Sequence, residues 1–431
     1  MSFRRTRLKN GIRVILVPQA DTAAVTFLAL YEVGSRYETA ELSGTSHFIE
    51  HLMFKGTRRR PTTLDISRDL DSVGADYNAF TSKDYTGYYV KLPSGRAELA
   101  ADMLEDMIYH STYRAGNVSS ERQVILEELR MYEDNPLMLV EELVEEELYR
   151  GSPLGRRIGG TVETVGGLSR DDLVAYRDRY YVPSRTVLAV AGRFEEAATV
   201  ELLERTFGQV GKGTGRGGRN FEKFDLARAG YRKPRLKVVH RDTEQVQAAI
   251  SFPALSYDDP DLPAAKVMST ILGGTMSSRL FTTVREKEGL CYFIRSQINP
   301  YQDVGDLTIQ SGLAKDRVDL ALRLTFREIA GLVRRGATAA ELKLAQEYIR
   351  GKTLLALEDS SHKADWYAKQ ELLTRRIDTP EERLAKIAAV RRDDVQRMAK
   401  RIFRRNRLSM AIIGPFDGNG QFASVADELS S

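Results

Sequence analysis

Two of the five histidines in this chain stand four residues apart, in the stretch His47-Phe48-Ile49-Glu50-His51. On an α-helix, a spacing of i and i+4 brings two side chains together on one face, where two imidazoles can bind one metal ion. The glutamate beside them raises the question of a metal site with its own base. The alternative is two ordinary histidines of a buried helix. The metal hypothesis requires a third ligand, usually an acidic residue elsewhere in the chain.

The residues around the histidine pair predict a short amphipathic helix. At 100° per residue, the two histidines and Glu50 fall on one side of this helix. The opposite side is an apolar stripe that can pack on a sheet and consists of Phe48, Ile49, Leu52 and Met53. Thr45 and Ser46 are placed to cap the N-terminus, and Gly56 is placed to stop the helix at its C-terminal end.

A second helix carries the candidate third ligand. Residues 119–133, SSERQVILEELRMYE, predict a helix that opens after two serines. Its predicted apolar stripe consists of Val124, Ile125, Leu129 and Tyr132. Glu128 and Glu121 fall inside this stripe, whereas Glu127 points away. Carboxylates on a buried face are costly unless paired or bound to a metal, so we interpret Glu128 as the third ligand and Glu121 as an acid behind the ligands. The alternative is a partly exposed helix with ordinary glutamates.

The elements that must position these residues occur twice in the chain. The strand-like stretches GIRVILV from Gly11 and TVLAVAGRF from Thr186 have counterparts in RLKVVH from Arg235 and LSMAIIGPF from Leu408, at offsets of 224 and 222 residues. Long amphipathic helical stretches lie between the strands of each set. We predict an α+β fold of two similar domains, each a mostly antiparallel sheet with helices packed on one face. The predicted domains are residues 1–210 and 223–431, joined by a Gly-rich linker at 211–222.

Composition excludes several classes of protein. With 64 basic and 60 acidic residues, the net charge of +4 leaves no basic surface typical of nucleic-acid binding. The single cysteine, Cys291, excludes an internal disulfide framework and a multi-cysteine zinc site. No signal peptide and no apolar run of membrane-spanning length is recognisable, so we expect a cytoplasmic protein with neither a nucleic-acid nor a membrane partner.

The motif H-x-x-E-H, followed 77 residues after its second histidine by Glu128 in ERQVILEE, resembles the pitrilysin (insulinase) family of zinc metallopeptidases, the inverzincins. The similarity extends over essentially the whole chain. It includes the stretches YEVGSRYE, NAFTSKDYTGYY, RMYEDNP, SPLGRRIGGT and SSRLFTTVREKEGLCY. The chain is similar to the short, two-domain bacterial branch and to the subunits of mitochondrial processing peptidase. The resemblance therefore implies two pitrilysin-like domains.

The resemblance also implies roles for the residues of the motif. It makes His47, His51 and Glu128 the ligands of one Zn²⁺ per chain, and Glu50 the base that moves the proton of the attacking water. Asp76, Glu121 or a main-chain carbonyl can hold the imidazoles from behind, and the sequence does not choose among them.

Two further segments acquire roles through the resemblance. It implies that an edge strand pairs with the backbone of an extended substrate, and that this strand consists of Asn78, Ala79, Phe80 and Thr81. It also implies that Arg285 and Tyr292, which match the R-x6-Y pair of the family, steady the substrate and the oxyanion. The alternatives are an ordinary hairpin edge and common surface residues on a loop after a helix.

The resemblance predicts a zinc-dependent metalloendopeptidase that cleaves small or unfolded polypeptides held as an extended strand in a closed chamber. The alternatives are a presequence-type processing peptidase and a non-catalytic structural or peptide-binding subunit. Since two domains make only half of a four-domain chamber, we expect a two-fold homodimer in which the partner's Arg285 and the partner's Tyr292 complete the site.

Overall fold

The computed structural model of the chain describes residues 3–211, 221–227, 229–422 and 424–429. The chain divides into two compact units. Unit 1 consists of Met1–Leu129, Arg156–Glu222 and Leu354–Thr379. Unit 2 consists of Arg130–Gly155, Lys223–Thr353 and Pro380–Ser431. Residues 212–220 of the predicted linker lie outside the described residues.

Unit 1 contains a six-stranded sheet in the order β1-β2-β6-β3-β5-β4. Its strands are β1 Arg4–Arg7, β2 Arg13–Pro18, β3 Ala24–Tyr31, β4 Asp76–Thr81, β5 Thr86–Pro93 and β6 Thr186–Gly192. All neighbours are antiparallel except β2 and β6, which pair in parallel with Arg13 opposite Val187.

Unit 2 contains a five-stranded sheet in the order β7-β11-β8-β10-β9. Its strands are β7 Arg235–His240, β8 Gln245–Ala254, β9 Cys291–Pro300, β10 Gly305–Ala314 and β11 Ser409–Gly414. Here β7 and β11 form the parallel pair, with Arg235 opposite Ser409, and the other neighbours are antiparallel. Without β1, the order β2-β6-β3-β5-β4 of the first sheet corresponds strand by strand to the order β7-β11-β8-β10-β9 of the second. This confirms the predicted pair of similar, mostly antiparallel α+β domains.

Fourteen α-helices accompany the sheets within the described residues. They are α1 Thr45–Leu52, α2 Thr63–Asp71, α3 Ala97–Tyr109, α4 Ala115–Asp134, α5 Pro136–Leu148, α6 Val162–Gly167, α7 Arg170–Tyr180, α8 Glu196–Arg205, α9 Leu262–Ser269, α10 Val318–Arg335, α11 Ala339–Ala356, α12 Ser360–Leu373, α13 Pro380–Ala388 and α14 Arg392–Ile402. Two π-type helical segments, Thr270–Gly274 and Phe281–Lys287, precede β9.

Most helices pack on one face of each sheet, and a single helix covers the other face. In unit 1 the main core contains residues of β3, α1, α3 and α4, whereas α12 packs against β2, β3 and β6. In unit 2 the main core joins β8 to α9, α10 and α14, and a smaller cluster joins α5 to β8 and β11. The second face needs this cover because the central strands are apolar on both faces, as the buried run AVTFLALY of β3 shows.

The compact units differ from the contiguous halves predicted from the sequence. Residues Arg130–Gly155, which contain α5, group with unit 2, and residues Leu354–Thr379, which contain α12, group with unit 1. The physical reason is the second apolar face of each sheet, which is covered by a helix from the other half of the sequence. Among the described residues, no helix has the length and apolarity needed to cross a membrane.

Candidate metal centre and active site

Helix α1 presents the histidine pair as the sequence predicts. Its apolar stripe, made of Phe48, Ile49, Leu52 and Met53, is at most 1% exposed. His47, Glu50 and His51 are only partly buried. The side of α1 that carries the two imidazoles is therefore accessible, while the stripe anchors the helix in the core.

Both ends of α1 differ from the prediction. Gly44 is the N-cap, and no side chain of Thr45 or Ser46 caps the helix; the Glu38 carboxylate accepts hydrogen bonds from the main-chain amides of Gly44 and Ser46 instead. The hydroxyl groups of Thr45 and Ser46 form hydrogen bonds with other partners, the Leu42 carbonyl and the Tyr176 hydroxyl. The helix ends at Leu52, four residues before Gly56, whose positive φ of 116° belongs to the turn that follows.

Helix α4 begins earlier than predicted and is rotated slightly from the predicted phase. It starts at Ala115, so the two serines lie inside it, and Val124 is 51% exposed rather than part of the apolar stripe. The buried face passes through Glu121, Ile125 and Leu129. Glu128 is partly buried beside that face and Glu127 is exposed, so the predicted contrast between the two neighbouring glutamates is correct.

The three predicted ligands meet at one point of unit 1. His47 Nε2 lies 3.3 Å from His51 Nε2, and Glu128 Oε2 lies 3.7 Å from the former and 3.4 Å from the latter. Their ligand atoms all lie within 4.8 Å of one another. The sequence therefore predicted side chains that the tertiary structure brings together.

This triangle fits zinc. Tetrahedral Zn²⁺ with ligands at about 2.0–2.2 Å requires ligand atoms about 3.3–3.6 Å apart, which is close to the observed separations. Two imidazole nitrogens and one carboxylate oxygen form the donor set of a catalytic zinc site, in which one position stays open. The residues present can hold a zinc ion with little rearrangement.

The two imidazoles are held from behind in different ways. His51 Nδ1 lies 2.9 Å from Glu121 Oε1, and Glu121 Oε2 forms an ion pair of 2.6 Å with Lys55. His47 Nδ1 is buried and has no hydrogen-bond partner among the described residues. Asp76 is exposed and accepts a hydrogen bond from the Tyr89 hydroxyl. Of the alternatives left open by the sequence, Glu121 is thus the partner of His51.

These contacts shift the pKa values of the two imidazoles in opposite directions. Burial lowers the pKa of His51, but hydrogen bonds with Glu121 and Glu128 outweigh it and raise that pKa to about 9. Burial and then the neighbouring His51 lower the pKa of His47. A metal ion bound at these nitrogens would therefore compete with a proton more strongly at His51 than at His47.

Glu50 lies beside the ligands without belonging to the triangle. The Thr81 hydroxyl, at the end of β4, donates a hydrogen bond to Glu50 Oε2. Glu50 Oε1 has no hydrogen-bond partner within the described part of the chain. Burial raises the pKa of the Glu50 carboxyl, although the Thr81 hydrogen bond opposes this. One oxygen is thus held and the other is open to a proton.

The predicted substrate strand is the outermost strand of its sheet. β4 pairs only with β5 among the described strands, with Asn78 opposite Tyr89 and Thr81 opposite Thr86. The main-chain amide of Ala79 donates to Oδ1 of its neighbour Asn78. An edge strand with backbone groups outside the ladder can accept an added strand.

The predicted Arg285 and Tyr292 belong to unit 2. Arg285 is in the helical segment Phe281–Lys287 and Tyr292 is the second residue of β9, so neither lies on the loop that the alternative of common surface residues assumed. The segment Phe281–Lys287 is helical through Arg285, and its buried side chains Phe281 and Val284 anchor it in the core of unit 2. The Arg285 guanidinium lies 4.6 Å from the ring centre of Phe281 and 5.8 Å from that of Tyr292, which is 73% exposed.

Three functional contacts were not predicted from the sequence. They involve Lys55, Glu38 and the Thr81 hydroxyl. Lys55 stands four residues after His51, so the helical period could have indicated that it shares the face of the histidines. The other two contacts join separate segments of the chain, for which the sequence carries no local signal.

Comparisons with known proteins identify the family. The sequence profile described as Insulinase (Peptidase family M16) matches residues 13–162, and that described as Peptidase M16 inactive domain matches residues 167–349. The chain is 34% identical to the uncharacterized zinc protease YmxG of Bacillus subtilis, over 96% of this chain and 98% of that protein. It is 35% identical to an uncharacterized zinc protease of Streptomyces coelicolor, over 96% of this chain and 90% of that protein. The chain belongs to the insulinase (M16) family of peptidases, in its short bacterial branch.

Solved structures show the same fold. A protease from Helicobacter pylori matches with a TM-score of 0.89 at 22% identity, over 96% of this chain and 99% of that chain. An M16 inactive-domain protein of Pseudomonas fluorescens matches with a TM-score of 0.89 at 17% identity, over 97% and 100%. A chain of Complex III2 from Candida albicans matches with a TM-score of 0.82 at 16% identity, over 99% of each chain. These likenesses confirm the predicted fold class.

Proposed function

We propose that this protein is a zinc-dependent metalloendopeptidase that hydrolyses peptide bonds in small or unfolded polypeptides. The observation that carries the proposal is the triangle of ligand atoms from His47, His51 and Glu128, with the Glu50 carboxylate beside it. Two relatives similar over almost the whole chain are named zinc proteases, which supports the same chemistry. We expect one zinc ion per chain.

The residues around the metal have separate tasks in this proposal. A bound zinc ion would polarise the scissile carbonyl and lower the pKa of a water molecule. Glu50 takes the proton of that water on Oε1 and returns it to the leaving amine. Thr81 holds Oε2, so the proton-accepting oxygen keeps its direction. Glu121 holds the ring of His51 and so keeps Nε2 directed toward His47 and Glu128, where a metal ion would be held.

The substrate is proposed to bind as an additional strand on β4. Its main chain would pair with the outer edge formed by Asn78–Thr81, which gives affinity with little dependence on side chains. Because Thr81 also contacts Glu50, the strand that binds the substrate would also contact the base. A folded protein offers few free strands, and this favours small or unfolded polypeptides.

The proposal includes assembly. A homodimer would complete each site with the partner's Arg285 and the partner's Tyr292, and the exposure of Tyr292 in this chain supports a role toward another molecule. The alternative within the same class is a processing peptidase that removes presequences.

The proposed function is tested by incubating the protein with a mixed peptide pool and mapping cuts by mass spectrometry. We expect internal cuts that a chelator abolishes and added zinc restores. Cuts restricted to one site near the N-terminus of presequence-like peptides would favour the processing alternative. Cuts that persist in the chelator would contradict the metal proposal.

A non-catalytic, peptide-binding subunit is a second candidate. It is favoured by the match of residues 167–349 to the profile described as the inactive domain. The residues of the triangle lie outside that match, in the part that matches the insulinase profile. A protein that binds peptides and zinc but leaves the whole pool uncut would support this candidate.

A further inference from the structure

The histidine helix starts without a cap from its own sequence. The first amides of a helix have no intrahelical acceptor and need another partner. The N-cap, Gly44, has no side chain and adopts a φ of 96°. The Thr45 hydroxyl donates to the Leu42 carbonyl at 2.6 Å, and the Ser46 hydroxyl lies 3.1 Å from the Tyr176 hydroxyl.

Glu38 supplies the missing acceptors from outside the helix. Its Oε2 accepts a hydrogen bond from the Gly44 amide at 2.8 Å, and its Oε1 accepts one from the Ser46 amide at 2.7 Å. The residue is 4% exposed. An anion is favoured at a helix N-terminus, and hydrogen bonds to a carboxylate are stronger than those to a neutral group. Glu38 therefore ties down the first turn of α1 at two points on either side of Thr45.

The same residue links α1 to the loop behind His47. Arg156 donates a hydrogen bond to the main-chain carbonyl of Glu38 at 2.6 Å. Further along this loop, Gly159 packs so closely that a Cβ on Gly44 would lie 2.7 Å from its carbonyl oxygen. A Cβ on Gly159 itself would lie 3.9 Å from His47 Nδ1. The loop thus forms the surface behind the His47 ring.

The need for this arrangement comes from the asymmetry of the two imidazoles. The ring of His51 is oriented by Glu121, whereas Nδ1 of His47 has no such partner within the described residues. The direction of the His47 ring must then come from its main chain and from packing. Glu38 accepts a hydrogen bond from the main-chain amide of Ser46, the residue directly before His47.

We propose that Glu38 is a positioning residue for the metal site, which fixes the first turn of α1 and thereby the direction from which His47 reaches the ligand triangle. It does for His47, through the main chain, what Glu121 does for His51 through the side chain. Burial raises the pKa of the Glu38 carboxyl to about 7, so this side chain occupies an environment that is unfavourable to its charge. Its effect on turnover rests on the proposed peptidase function, but its effect on metal binding does not.

The test compares Glu38→Gln with a matched control, Glu195→Gln. Glu195 is itself the N-cap of α8 and is exposed, but its carboxylate likewise accepts from two main-chain amides, those of Ala197 and Ala198, at 3.0 and 2.7 Å. Zinc affinity is measured by competition with a chromophoric chelator, and the geometry of the site by the visible absorption bands of the cobalt-substituted protein. Thermal unfolding of both variants reports the loss of stability alone.

We expect Glu38→Gln to weaken zinc binding by about 10-fold or more and to shift the cobalt bands, because a neutral amide can accept from only one of the two main-chain amides. It should lower kcat with little change in KM, and Glu38→Asp should lie between it and the native protein. Glu195→Gln should leave zinc affinity and the cobalt bands unchanged.

Two results would overturn the positioning role. One is native zinc affinity and native cobalt bands in Glu38→Gln. The other is an equal loss of affinity in Glu38→Gln and Glu195→Gln, which would reduce Glu38 to a general stabiliser. If Glu38→Gln does not fold, Glu38→Asp decides by the same measurements, and an unchanged affinity and spectrum overturns the role. A native protein that binds zinc without cleaving peptides would contradict the proposed function. Zinc affinity and the cobalt bands would still test the positioning role in that case.

Discussion

At the scale of single residues, the proposed site assigns metal binding and proton transfer to different side chains. His47, His51 and Glu128 form the triangle of ligand atoms. Glu50 lies on α1 with the two histidines, but its carboxylate accepts a hydrogen bond from the Thr81 hydroxyl. Because a base that does not bind the metal keeps a free oxygen, it can accept the proton. Substitution of Glu50 should therefore leave the metal in place.

We predict that Glu50→Gln retains zinc and peptide binding and lowers kcat by about 100- to 10,000-fold, the range for loss of a general acid–base. Zinc content is measured by atomic absorption, peptide binding by fluorescence anisotropy and kcat with a quenched peptide. Loss of the metal together with activity would mean that Glu50 has a structural role.

A buried carboxyl in unit 2 yields a pH-dependent prediction. Asp306 is 3% exposed; Asn299 and Thr308 each donate a hydrogen bond of 2.8 Å to its Oδ1, and the Tyr149 hydroxyl lies 3.4 Å from its Oδ2. Burial, followed by the charge of Glu145, raises its pKa from 3.8 to about 7. The folded state therefore binds more protons than the unfolded state between these values, and this residue makes the protein less stable as pH rises through that window.

We predict that Asp306→Asn is more stable than the native protein at pH 8, and that the difference decreases as pH falls toward 4. The amide oxygen can accept the same two hydrogen bonds, while its nitrogen can donate to the Tyr149 hydroxyl. Urea midpoints between pH 4 and 8, followed by circular dichroism, measure the effect. Asp316→Asn, at an exposed position, is the control and should show no such trend. A difference independent of pH would exclude the charge as the cause.

At the scale of elements, the phase of helix α4 decides which glutamate lies beside the two imidazoles. The predicted stripe of α4 included Val124, which is 51% exposed, yet Glu128 and Glu121 still face inward. The prediction is confirmed because the observed buried face is rotated only slightly from the predicted one: Glu121 lies within it and Glu128 lies beside it, partly buried. The position of Glu127 on the exposed side provides an internal control.

We predict that Glu128→Gln reduces zinc content and abolishes turnover, because a neutral amide is a poor third ligand. Glu127→Gln should be nearly harmless. Metal analysis and peptidase assays on both variants measure this contrast. Equal effects of the two substitutions would show that the helix is phased wrongly at the metal.

In the proposed mechanism, the edge strand β4 contributes to proton transfer as well as to substrate binding. Since the Thr81 hydroxyl fixes one oxygen of Glu50, Thr81→Val should lower kcat by about 10-fold, as expected for loss of a hydrogen bond to a charged group, with KM nearly unchanged. Thr81→Ser keeps the hydroxyl and should remain close to the native protein. A change confined to KM would mean that Thr81 serves only the pairing of β4 with substrate.

At the scale of the whole molecule, the duplicated sheets leave the two sets of predicted functional residues in different units. The metal triangle belongs to unit 1, and Arg285 and Tyr292 belong to unit 2. A chain that carries both sets can pair with itself, which is the reason for proposing a homodimer.

We predict that mixing the inactive variants Glu50→Gln and Tyr292→Phe restores part of the native activity. A hybrid dimer would contain one site with an intact zinc motif and an intact partner tyrosine. Peptidase assays after subunit exchange, with light scattering for the mass, measure this. A mixture that stays inactive after demonstrated exchange would contradict completion by the partner, and an active monomer would contradict the dimer.

The sequence by itself determined which side chains share a helical face and which strands recur. The helical period is local, so His47, Glu50 and His51 could be placed opposite an apolar stripe, and Glu128 could be separated from Glu127. The repeated strands are local as well, because their apolar runs and their spacing appear directly in the sequence. These features were sufficient to predict the α+β duplication and the metal triangle.

Only the tertiary structure decided the contacts between distant segments. Three contacts join residues 6 to 70 positions apart: the cap of α1 by Glu38, the contact of Glu121 with His51 and the Thr81–Glu50 hydrogen bond. The same holds for α5 and α12, whose sequences show an apolar face without showing which sheet it covers. An amphipathic pattern specifies that a face is buried, but its partner depends on the packing of the whole chain, which no local period encodes.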